Sequence, residues 1–368
     1  MIYKDFCEDK LSMLGMGCMR FPCDEKGEVD LAETAELIDM CIKNGVNYFD
    51  TAWFYHNGKS EEIMGELLAK YDRSSYKLAT KMPWTDIKSR ADVEKIFATQ
   101  LEHTRAGYFD YYLIHNVSED TIDVFNNEEY GIVDFLYEQK KAGVIRHLGF
   151  STHGSIPLME EFIVKHKDKL EFCQIQLNWL DWTLQNAKEK VELLHKHGLA
   201  IWVMEPVRGG KLASLTESDE NILKTFRPDD SIASWAFRFL QDIDGVKMIL
   251  SGMSSRQQVM DNIKTFSQEK PLSDTERKAV LDIADRILSK KLMTCTSCRY
   301  CIPQCPKELD IPKLLRIYND VYIMGRELTE MEHAVQSKEC IGCRMCEKKC
   351  PQKIKISEFI RDFAEKLQ

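Results

Sequence analysis

The chain lacks the long apolar runs of membrane proteins and has no excess of positive charge. No eighteen consecutive apolar residues occur among its 368, so we expect no transmembrane helix and no membrane partner. Its first residues also lack the apolar core of a secretory signal, which predicts a cytoplasmic protein. The net charge is -9 and the acidic residues are spread along the sequence, so no nucleic-acid partner is expected.

Cysteine is scarce over the first 294 residues and concentrated after them. Eight of the thirteen cysteines lie in the last 74 residues. Without an export signal, such clustering indicates metal binding rather than disulfide bonds. The remaining cysteines are expected to be ordinary buried thiols. They are Cys7, Cys18, Cys23, Cys41 and Cys173.

A length of 368 residues with 44% hydrophobic residues favours one large domain and one small one. The composition changes sharply after the segment 271–291, which has helical periodicity and a capping box formed by Ser273 and Glu276. We therefore predict two domains, residues 1–291 and residues 292–368.

Short apolar runs alternate with amphipathic stretches throughout the first domain. Eight β-then-α units over about 270 residues match a (β/α)8 barrel in count and length. A doubly wound open sheet is the alternative, but no G-x-G-x-x-G follows the first predicted strand. The predicted strands are 14–21, 46–50, 77–81, 110–115, 147–151, 172–178, 199–204 and 246–250.

Polar residues end five consecutive predicted strands. They are Asp50, Lys81, His115, Ser151 and Asn178. In a barrel the carboxyl ends of the strands meet at one face, which carries the active site. Each residue alone has an ordinary explanation, such as a turn cap or a satisfied core histidine. Their convergence favours a site.

Five motifs stand in order at these strand ends: G-V-N-Y-F-D-T-A-W-F-Y, A-T-K-M, Y-Y-L-I-H, G-F-S-T-H and Q-I-Q-L-N. Together they resemble the aldo-keto reductase family over roughly residues 1–290. The resemblance implies an enzyme that interconverts a small carbonyl and an alcohol with NADP or NAD. The family's catalytic carboxylate, tyrosine, lysine and histidine correspond to Asp50, Tyr55, Lys81 and His115.

These four residues suit carbonyl reduction on chemical grounds. Hydride addition creates an alkoxide that must be protonated, and a free tyrosine, with a pKa of about 10, is a reluctant donor. An ammonium group on Lys81 would lower the pKa of Tyr55. Asp50 would keep Lys81 charged and oriented, and neutral His115 would hold the substrate oxygen beside Tyr55.

The resemblance also implies residues around the nicotinamide. Ser151 and Gln174 would hold its carboxamide, with Thr152 standing where the family commonly has asparagine. Met204 replaces the tyrosine that usually stacks on the ring, and a thioether can cover an aromatic face. The remaining implied contacts on this side are Gly17, Cys18, Met19 and Asp50.

The segment after the last predicted strand departs from the family. The family commonly has a Lys-Ser pair here and, several residues later, an arginine that binds the 2′-phosphate. In this chain Gly252 is at the first position of the pair, and Gln258 is near the position of the arginine. Arg256 is offset from that position by two residues. Because a 2′-phosphate prefers guanidinium or ammonium groups, the choice between NADP and NAD stays open.

Other residues match the adenosine and phosphate side. Asn262 matches the adenine contact, and Ser254 or Ser255 would cap a helix whose free N–H groups receive a phosphate. Arg208, in the loop R-G-G-K at 208–211, is predicted to bind the pyrophosphate. A surface loop without a ligand is an equal alternative.

Three residues are predicted at the substrate pocket. Trp53 and Trp84 lie close to strand ends and would form part of its wall. Arg20, just past the first strand, would either receive a substrate carboxylate or form a structural ion pair.

The pattern C-x2-C-x2-C-x3-C-P occurs twice, at 295–306 and at 340–351. This spacing is typical of two-cluster ferredoxins, in which the fourth cysteine of each motif ligates the other cluster. Structural zinc usually takes two separated C-x2-C pairs, so zinc is disfavoured. The ferredoxin pattern implies one 4Fe–4S cluster on Cys295, Cys298, Cys301 and Cys350, and a second on Cys340, Cys343, Cys346 and Cys305.

The segment between the two motifs has helical spacing, with Asp310 as a cap, which predicts a mainly helical ferredoxin-like domain. The leading hypothesis is an NAD(P)H-dependent oxidoreductase that transfers hydride directly and carries an iron–sulfur module. In the alternative, the clusters pass electrons between the barrel and a redox partner protein. A third hypothesis makes the tail a structural or docking module.

Overall fold

A closed barrel of eight parallel strands forms the core of the fold, which confirms the (β/α)8 prediction over the open sheet. The computed structural model describes residues 1–25, 27–289, 293, 295, 296, 298–319, 321 and 328–367. The chain begins with an antiparallel hairpin of β1 (Tyr3–Phe6) and β2 (Asp9–Ser12). The barrel strands follow in chain order, and the last pairs with the first. They are β3 (Leu14–Gly17), β4 (Tyr48–Asp50), β5 (Lys77–Met82), β6 (Phe109–Val117), β7 (Ile145–Thr152), β8 (Phe172–Gln176), β9 (Ala200–Met204) and β10 (Val246–Ser251).

Helices connect the barrel strands and continue beyond them. The predicted first strand was too long, because only residues 14–17 pair with neighbours. The sequence did not predict the short helices Ile122–Phe125 and Asp181–Leu184 or the longer helix Glu217–Phe226. In chain order the helices are α1 (Leu31–Lys43), α2 (Ser60–Leu68), α3 (Arg90–Thr104), α4 (Ile122–Phe125), α5 (Ile132–Lys141), α6 (Ile156–His166), α7 (Asp181–Leu184), α8 (Ala187–His197), α9 (Glu217–Phe226), α10 (Ile232–Leu240), α11 (Arg256–Phe266) and α12 (Asp274–Ser289).

The N-terminal hairpin was also missed, and it closes the amino end of the barrel. Phe6 and Leu11 of the hairpin belong to one buried cluster with side chains from the barrel interior. Those at the starts of strands, such as Tyr48 and Phe172, place the cluster at the amino end. The opposite, carboxyl end therefore remains for chemistry.

The contacts divide the chain into two compact units. The first is Met1–Pro206 with Ser234–Leu272, and the second is Val207–Ala233 with Ser273–Gln368. The predicted domain boundary near residue 291 does not coincide with the division into these two units, because the segment Val207–Ala233 groups with the tail. The sequence could not show that the loop after β9 packs with the tail.

The second unit is mainly helical, as expected for its cysteine-rich part. Its buried apolar core draws on α13 and α16. Asp310 caps α13, since its Oδ1 accepts from the Lys313 N–H at 3.3 Å. The helices beyond residue 300 are α13 (Ile311–Tyr318), α14 (Met331–Val335), α15 (Met345–Lys348) and α16 (Ile356–Lys366). Among the described residues, none of the helices is long and apolar enough to cross a membrane.

The scattered cysteines differ in burial. Cys18, Cys41 and Cys173 are buried, as expected, whereas Cys7 and Cys23 are exposed. The expectation of five buried thiols was therefore wrong for two of them. Cys7 lies in the turn between β1 and β2, and Cys23 in the loop before α1, so neither is covered by a barrel layer.

The predicted capping box at the start of α12 is confirmed. The Ser273 N–H donates to Glu276 Oε2 at 2.8 Å, and Arg227 adds a bond from Nε to Glu276 Oε1 at 2.5 Å. Chiefly through this Arg227 contact, the pKa of Glu276 is lowered from 4.5 to about 2. A carboxyl with a depressed pKa stabilises the fold above its unfolded pKa, and this contribution is lost as the pH falls toward 2.

We expect Glu276→Gln to destabilise the second unit by about 2 kcal/mol at neutral pH, because it weakens a charge-assisted hydrogen-bond set. Thermal unfolding followed by circular dichroism at pH 7 measures this, and the deficit should shrink by pH 3. Asp282→Asn, which alters an exposed pair with Lys278 on the same helix, is the matched control. Equal effects of the two variants would contradict the prediction.

Candidate active site

Four side chains converge at the carboxyl end of the barrel. Asp50 is the last residue of β4, Lys81 lies near the end of β5, and His115 lies near the end of β6. Tyr55 begins a 3-10 turn five residues after Asp50, and the two residues that follow it have positive φ. The structure therefore brings together all four residues predicted for catalysis.

The Lys81 ammonium group organises this set. Its Nζ donates to Asp50 Oδ1 at 2.6 Å and to the Thr51 carbonyl at 2.6 Å. A third, longer bond of 3.4 Å reaches the Tyr55 hydroxyl. The side chain of Lys81 is fully buried, and that of Asp50 is 3% exposed. The three donors of one ammonium group are thus directed to three oxygens.

Burial dominates the electrostatics of Tyr55. It raises the pKa of Tyr55 well above the usual value, and the charge of Asp50 adds to the effect. The charge of Arg20 acts in the opposite direction and lowers this pKa, but the net shift is upward, and the lowering expected from Lys81 stays a prediction. Tyr55 is therefore a protonated phenol, which is the form needed in a proton donor.

His115 is held as a neutral imidazole. Burial lowers its pKa well below the usual value, and the charge of Lys81 acts in the same direction. The pairing of β6 with β7 shifts register between Ile114 and Val117, and Asn116 within this bulge has a φ of 58°. The bulge turns His115 so that its ring stands edge-on to Tyr55, with ring centroids 6.2 Å apart.

The two predicted tryptophans have different neighbours. The Trp84 ring lies 5.5 Å from the His115 ring and 4.9 Å from that of Phe54. Trp53 instead stacks on His103, with centroids 6.2 Å apart. Trp84 and the unpredicted Phe54 therefore flank the site. Phe54 lies inside the motif that carries the resemblance, next to Tyr55, and its position could have indicated it.

Two residues predicted at the nicotinamide carboxamide lie side by side. Ser151 of β7 pairs with Gln174 of β8, and both are buried. Gln174 Oε1 has no hydrogen-bond partner among the described residues. An unsatisfied buried acceptor suits a carboxamide donor. Thr152 is different, because its hydroxyl donates to the Val117 carbonyl at 2.6 Å and accepts from Gly154.

The segment Gly17 to Met19 adjoins the catalytic carboxylate. Gly17 pairs with Asp50, and the Cys18 N–H donates to the Asp50 carbonyl at 2.8 Å. Burial and then Asp50 raise the pKa of Cys18, which therefore stays a thiol. Met204, predicted to cover the ring, ends β9 and is partly exposed.

Arg20 forms an ion pair, the second of the two alternatives predicted for it. One of its terminal nitrogens lies 3.7 Å from Glu205 Oε1. Glu205 has a φ of 57°, an uncommon value for a residue other than glycine, and its charge raises the pKa of Tyr55 while Arg20 lowers it. Glu205 was not predicted, although a charged residue directly after a strand fits the strand-end rule applied to the other strands.

The segment after β10 is held by its own hydrogen bonds. Ser255 caps α11 by accepting from the Gln258 N–H at 3.3 Å, and Gln258 Oε1 accepts from the Ser254 N–H at 2.7 Å. Asn262 is buried and donates to Ser251 at 2.9 Å.

Arg256 pairs with two acidic residues of α1, Glu33 and Glu36. Gly252 packs against the Arg20 side chain.

Arg208 has a partner other than the expected pyrophosphate. It is fully buried within the second unit and donates to Gln352 Oε1 at 2.9 Å. The next residue, Gly209, has positive φ and lies so close to Thr296 that a Cβ would stand 2.2 Å from its carbonyl oxygen. Lys211 donates to the Met293 carbonyl at 2.8 Å. This loop is thus built into the cysteine-rich unit.

The four cysteines of one predicted group lie together in the structure. One cavity is lined by Cys305, Cys340, Cys343 and Cys346, together with apolar and basic residues. Four converging thiols could hold a 4Fe–4S cluster, whose iron would replace the thiol protons. For the other predicted group, burial and then the neighbouring thiols of Cys298, Cys295, Cys350 and Cys346 raise the pKa of Cys301, and the ligand set of this group stays a prediction.

A barrel with this lysine-centred tyrosine and neutral histidine defines an oxidoreductase, and the converging thiols add an iron–sulfur region. Residues 13–285 match the model of the aldo/keto reductase family, and residues 294–354 match that of the 4Fe-4S dicluster domain. The chain belongs to the aldo/keto reductase family and carries a C-terminal 4Fe-4S domain.

Several known proteins align with the barrel part of this chain. An uncharacterized oxidoreductase, YqkF of Bacillus subtilis, is 24% identical over 73% of this chain and 92% of its own length. The NADH-specific methylglyoxal reductase of Escherichia coli is 23% identical over 71% of this chain and 90% of its own. The aldo-keto reductase AKR11C1 of Bacillus halodurans, in its holo form, shares the fold with a TM-score of 0.62 at 24% identity. That comparison covers 77% of this chain and 96% of the other.

Removing the Lys81 charge should leave Asp50 buried and unpaired. We expect Lys81→Met to destabilise the barrel by about 3–5 kcal/mol, and Lys81→Met combined with Asp50→Leu to recover most of the loss. Urea unfolding followed by tryptophan fluorescence measures both. Lys59→Met, which breaks an exposed pair with Glu28, is the matched control and should leave the unfolding midpoint almost unchanged. A double variant no more stable than the single one would contradict the prediction.

Proposed function

We propose that the barrel reduces a small carbonyl compound with NADH or NADPH by direct hydride transfer, with Tyr55 as general acid. The observation that carries this proposal is the Lys81 ammonium group, which bonds Asp50 and reaches the Tyr55 hydroxyl at 3.4 Å. A protonated phenol beside a neutral imidazole is suited to polarising a carbonyl oxygen and then protonating it.

Each residue of the site has its own role in proton transfer or in stabilising charge. When bound, the nicotinamide supplies the hydride to the carbonyl carbon. His115 and Tyr55 donate hydrogen bonds to the carbonyl oxygen, and the phenol proton passes to that oxygen as negative charge develops. Lys81 stabilises the resulting phenolate until solvent reprotonates it, and Asp50 holds Lys81 in place.

The residues present fit a nicotinamide nucleotide, with NADH preferred. The free oxygen of Gln174 supports a carboxamide contact. At the expected 2′-phosphate position the chain offers Gly252 and Gln258, and nearby Arg256 is engaged by Glu33 and Glu36. A ribose hydroxyl tolerates these neighbours better than a phosphate does. Asn262 and Ser254 stay predictions for the adenosine and phosphate contacts, whereas Arg208, predicted for the pyrophosphate, is buried and bonded to Gln352.

The substrate class follows from a relative and from the site. One similar protein is named a methylglyoxal reductase, so a small aldehyde such as methylglyoxal is the first substrate to test here. Trp84 and Phe54 beside His115 supply an apolar wall for such a molecule. Arg20, paired with Glu205, stays a predicted pocket residue.

Tyr55→Phe is expected to lower kcat for aldehyde reduction by at least about 100-fold, since the general acid is lost. Nucleotide affinity, measured by fluorescence titration with NADH and NADPH, should stay within about two-fold, because the phenol contacts the reacting atoms rather than the adenosine. Tyr137→Phe, on the outer helix α5, is the matched control and should retain activity. Unchanged turnover in Tyr55→Phe would refute the assignment of the general acid.

A second function is supported by the two groups of thiols. We infer that each group holds one 4Fe–4S cluster and that the clusters exchange electrons with a redox partner protein, in the reducing cytoplasm where such thiols persist. Nicotinamide transfers two electrons as hydride and a cluster transfers one, so coupling to the barrel would need a mediator such as a flavin. The anaerobic titration below separates this function from carbonyl reduction by the barrel alone.

We expect about eight iron atoms per chain in anaerobically purified protein, and about half as many in Cys343→Ser, with Cys23→Ser unchanged. Titration with NADH, followed by cluster absorbance and EPR without a carbonyl compound, then tests coupling. Cluster reduction would support electron exchange through the barrel. If the clusters stay oxidised while an aldehyde is reduced, carbonyl reduction is carried out by the barrel alone. Unaltered iron in Cys343→Ser would contradict the ligand assignment.

A further inference from the structure

Three side chains of the types that bind metals meet at the amino end of the barrel, away from the predicted site. Cys7 lies in the turn between β1 and β2, His147 lies near the start of β7, and Glu171 directly precedes β8. One ligand atom from each lies within 4.8 Å of the others. His147 Nδ1 is 3.2 Å from Glu171 Oε1, and Cys7 Sγ is 4.0 Å from the same oxygen.

Aromatic packing fixes the imidazole of His147 in this cluster. Its ring stacks on Tyr111 at a centroid distance of 4.9 Å and meets Phe6 edge-on at 5.2 Å, and only 2% of the residue is exposed. The second ring nitrogen, Nε2, lies 3.7 Å from carboxylate oxygens of Glu8 and Asp9, and no hydrogen-bond partner satisfies it among the described residues. A metal-binding histidine usually donates this second N–H to a carboxylate, and here two carboxylates face it at a distance longer than a hydrogen bond.

Three carboxylates and two ammonium groups lie around the cluster. Glu171, Glu8 and Asp9 lie near His147. Lys140 pairs with the other oxygen of Glu171, and Lys77 pairs with Asp9 at 2.5 Å. A divalent ion bound here would replace the thiol proton of Cys7.

We propose that Cys7, His147 and Glu171 bind a zinc ion. Tetrahedral zinc with bonds of about 2.0–2.3 Å has ligand atoms about 3.3–3.7 Å apart, and the two distances to Glu171 Oε1, 3.2 Å and 4.0 Å, lie close to this range. Sulfur, imidazole and carboxylate are all zinc ligands, and the exposure of Cys7 leaves the fourth position to water. Cys7 has a φ of 51°, so its turn is held in an uncommon conformation at the proposed ligand.

The site would clip the N-terminal hairpin to the barrel. Cys7 belongs to the hairpin that closes the amino end. His147 lies in the barrel strand β7, and Glu171 directly precedes the barrel strand β8. A metal that binds only the folded arrangement stabilises it by mass action. The alternative is a hydrogen-bonded charge network in which His147 is a cation and no metal binds.

The test uses the full chain with its iron–sulfur clusters intact. Anaerobic protein is freed of loosely held metal by chelation, dialysed against zinc, and measured for zinc and iron. Parallel samples with and without zinc are alkylated with iodoacetamide, and the Cys7 and Cys23 peptides are compared by mass spectrometry. Cys23 is exposed in the same chain and serves as the internal control.

We expect one zinc ion per chain with the iron content unchanged, and alkylation of Cys7 slowed by at least about ten-fold while that of Cys23 is unaffected. Cys7→Ser should lose this zinc, and Cys23→Ser should keep it. Asp9→Asn should weaken zinc binding by about 10–100-fold, because it removes the negative charge that faces Nε2 of His147 at 3.7 Å. Equal alkylation of Cys7 in both samples, or equal zinc content in Cys7→Ser, would overturn the proposal.

Discussion

The barrel and its candidate site depend on one buried cation, the ammonium group of Lys81. Charges of this kind are tolerated only when every donor is matched, because an unpaired buried charge costs several kcal/mol. Its three oxygen partners come from the end of β4 and the turn after it. From the other side, Gln100 of α3 donates to the Lys81 carbonyl at 3.0 Å. The position of Tyr55 is thus fixed by the same contacts that hold β4 and β5 together.

Burial holds both polar rings of the site in their neutral forms. It keeps Tyr55 as a phenol and His115 as a neutral imidazole, and Glu205 adds to the effect on Tyr55. Two neutral groups of this kind can each donate one hydrogen bond, and neither brings a charge of its own into the buried site. Charge at this end of the barrel is carried by two pairs, Lys81 with Asp50 and Arg20 with Glu205.

Most of the barrel could be predicted from the sequence because apolar runs and strand-end polar residues obey one simple geometry. Asp50, Lys81 and His115 follow from that rule, whereas Tyr55 was assigned from the family resemblance of its motif. The hairpin could not be predicted in the same way, since its strands mix charged and apolar residues without the run of a barrel strand. Arg208 and Arg20 were ambiguous for a different reason. A guanidinium on a loop binds whichever anion or carbonyl the fold brings to it, and spacing does not reveal the partner.

The loop after β9 also determines how the chain can be divided. Arg208 donates to Gln352 and Lys211 to the Met293 carbonyl, and both partners lie beyond the point where the composition changes. A chain cut at that point would keep the two cations and lose these hydrogen bonds. Loss of activity in such a truncated chain could then come from a disrupted second unit rather than from an interrupted electron path. A domain boundary drawn from composition alone would therefore divide one compact unit.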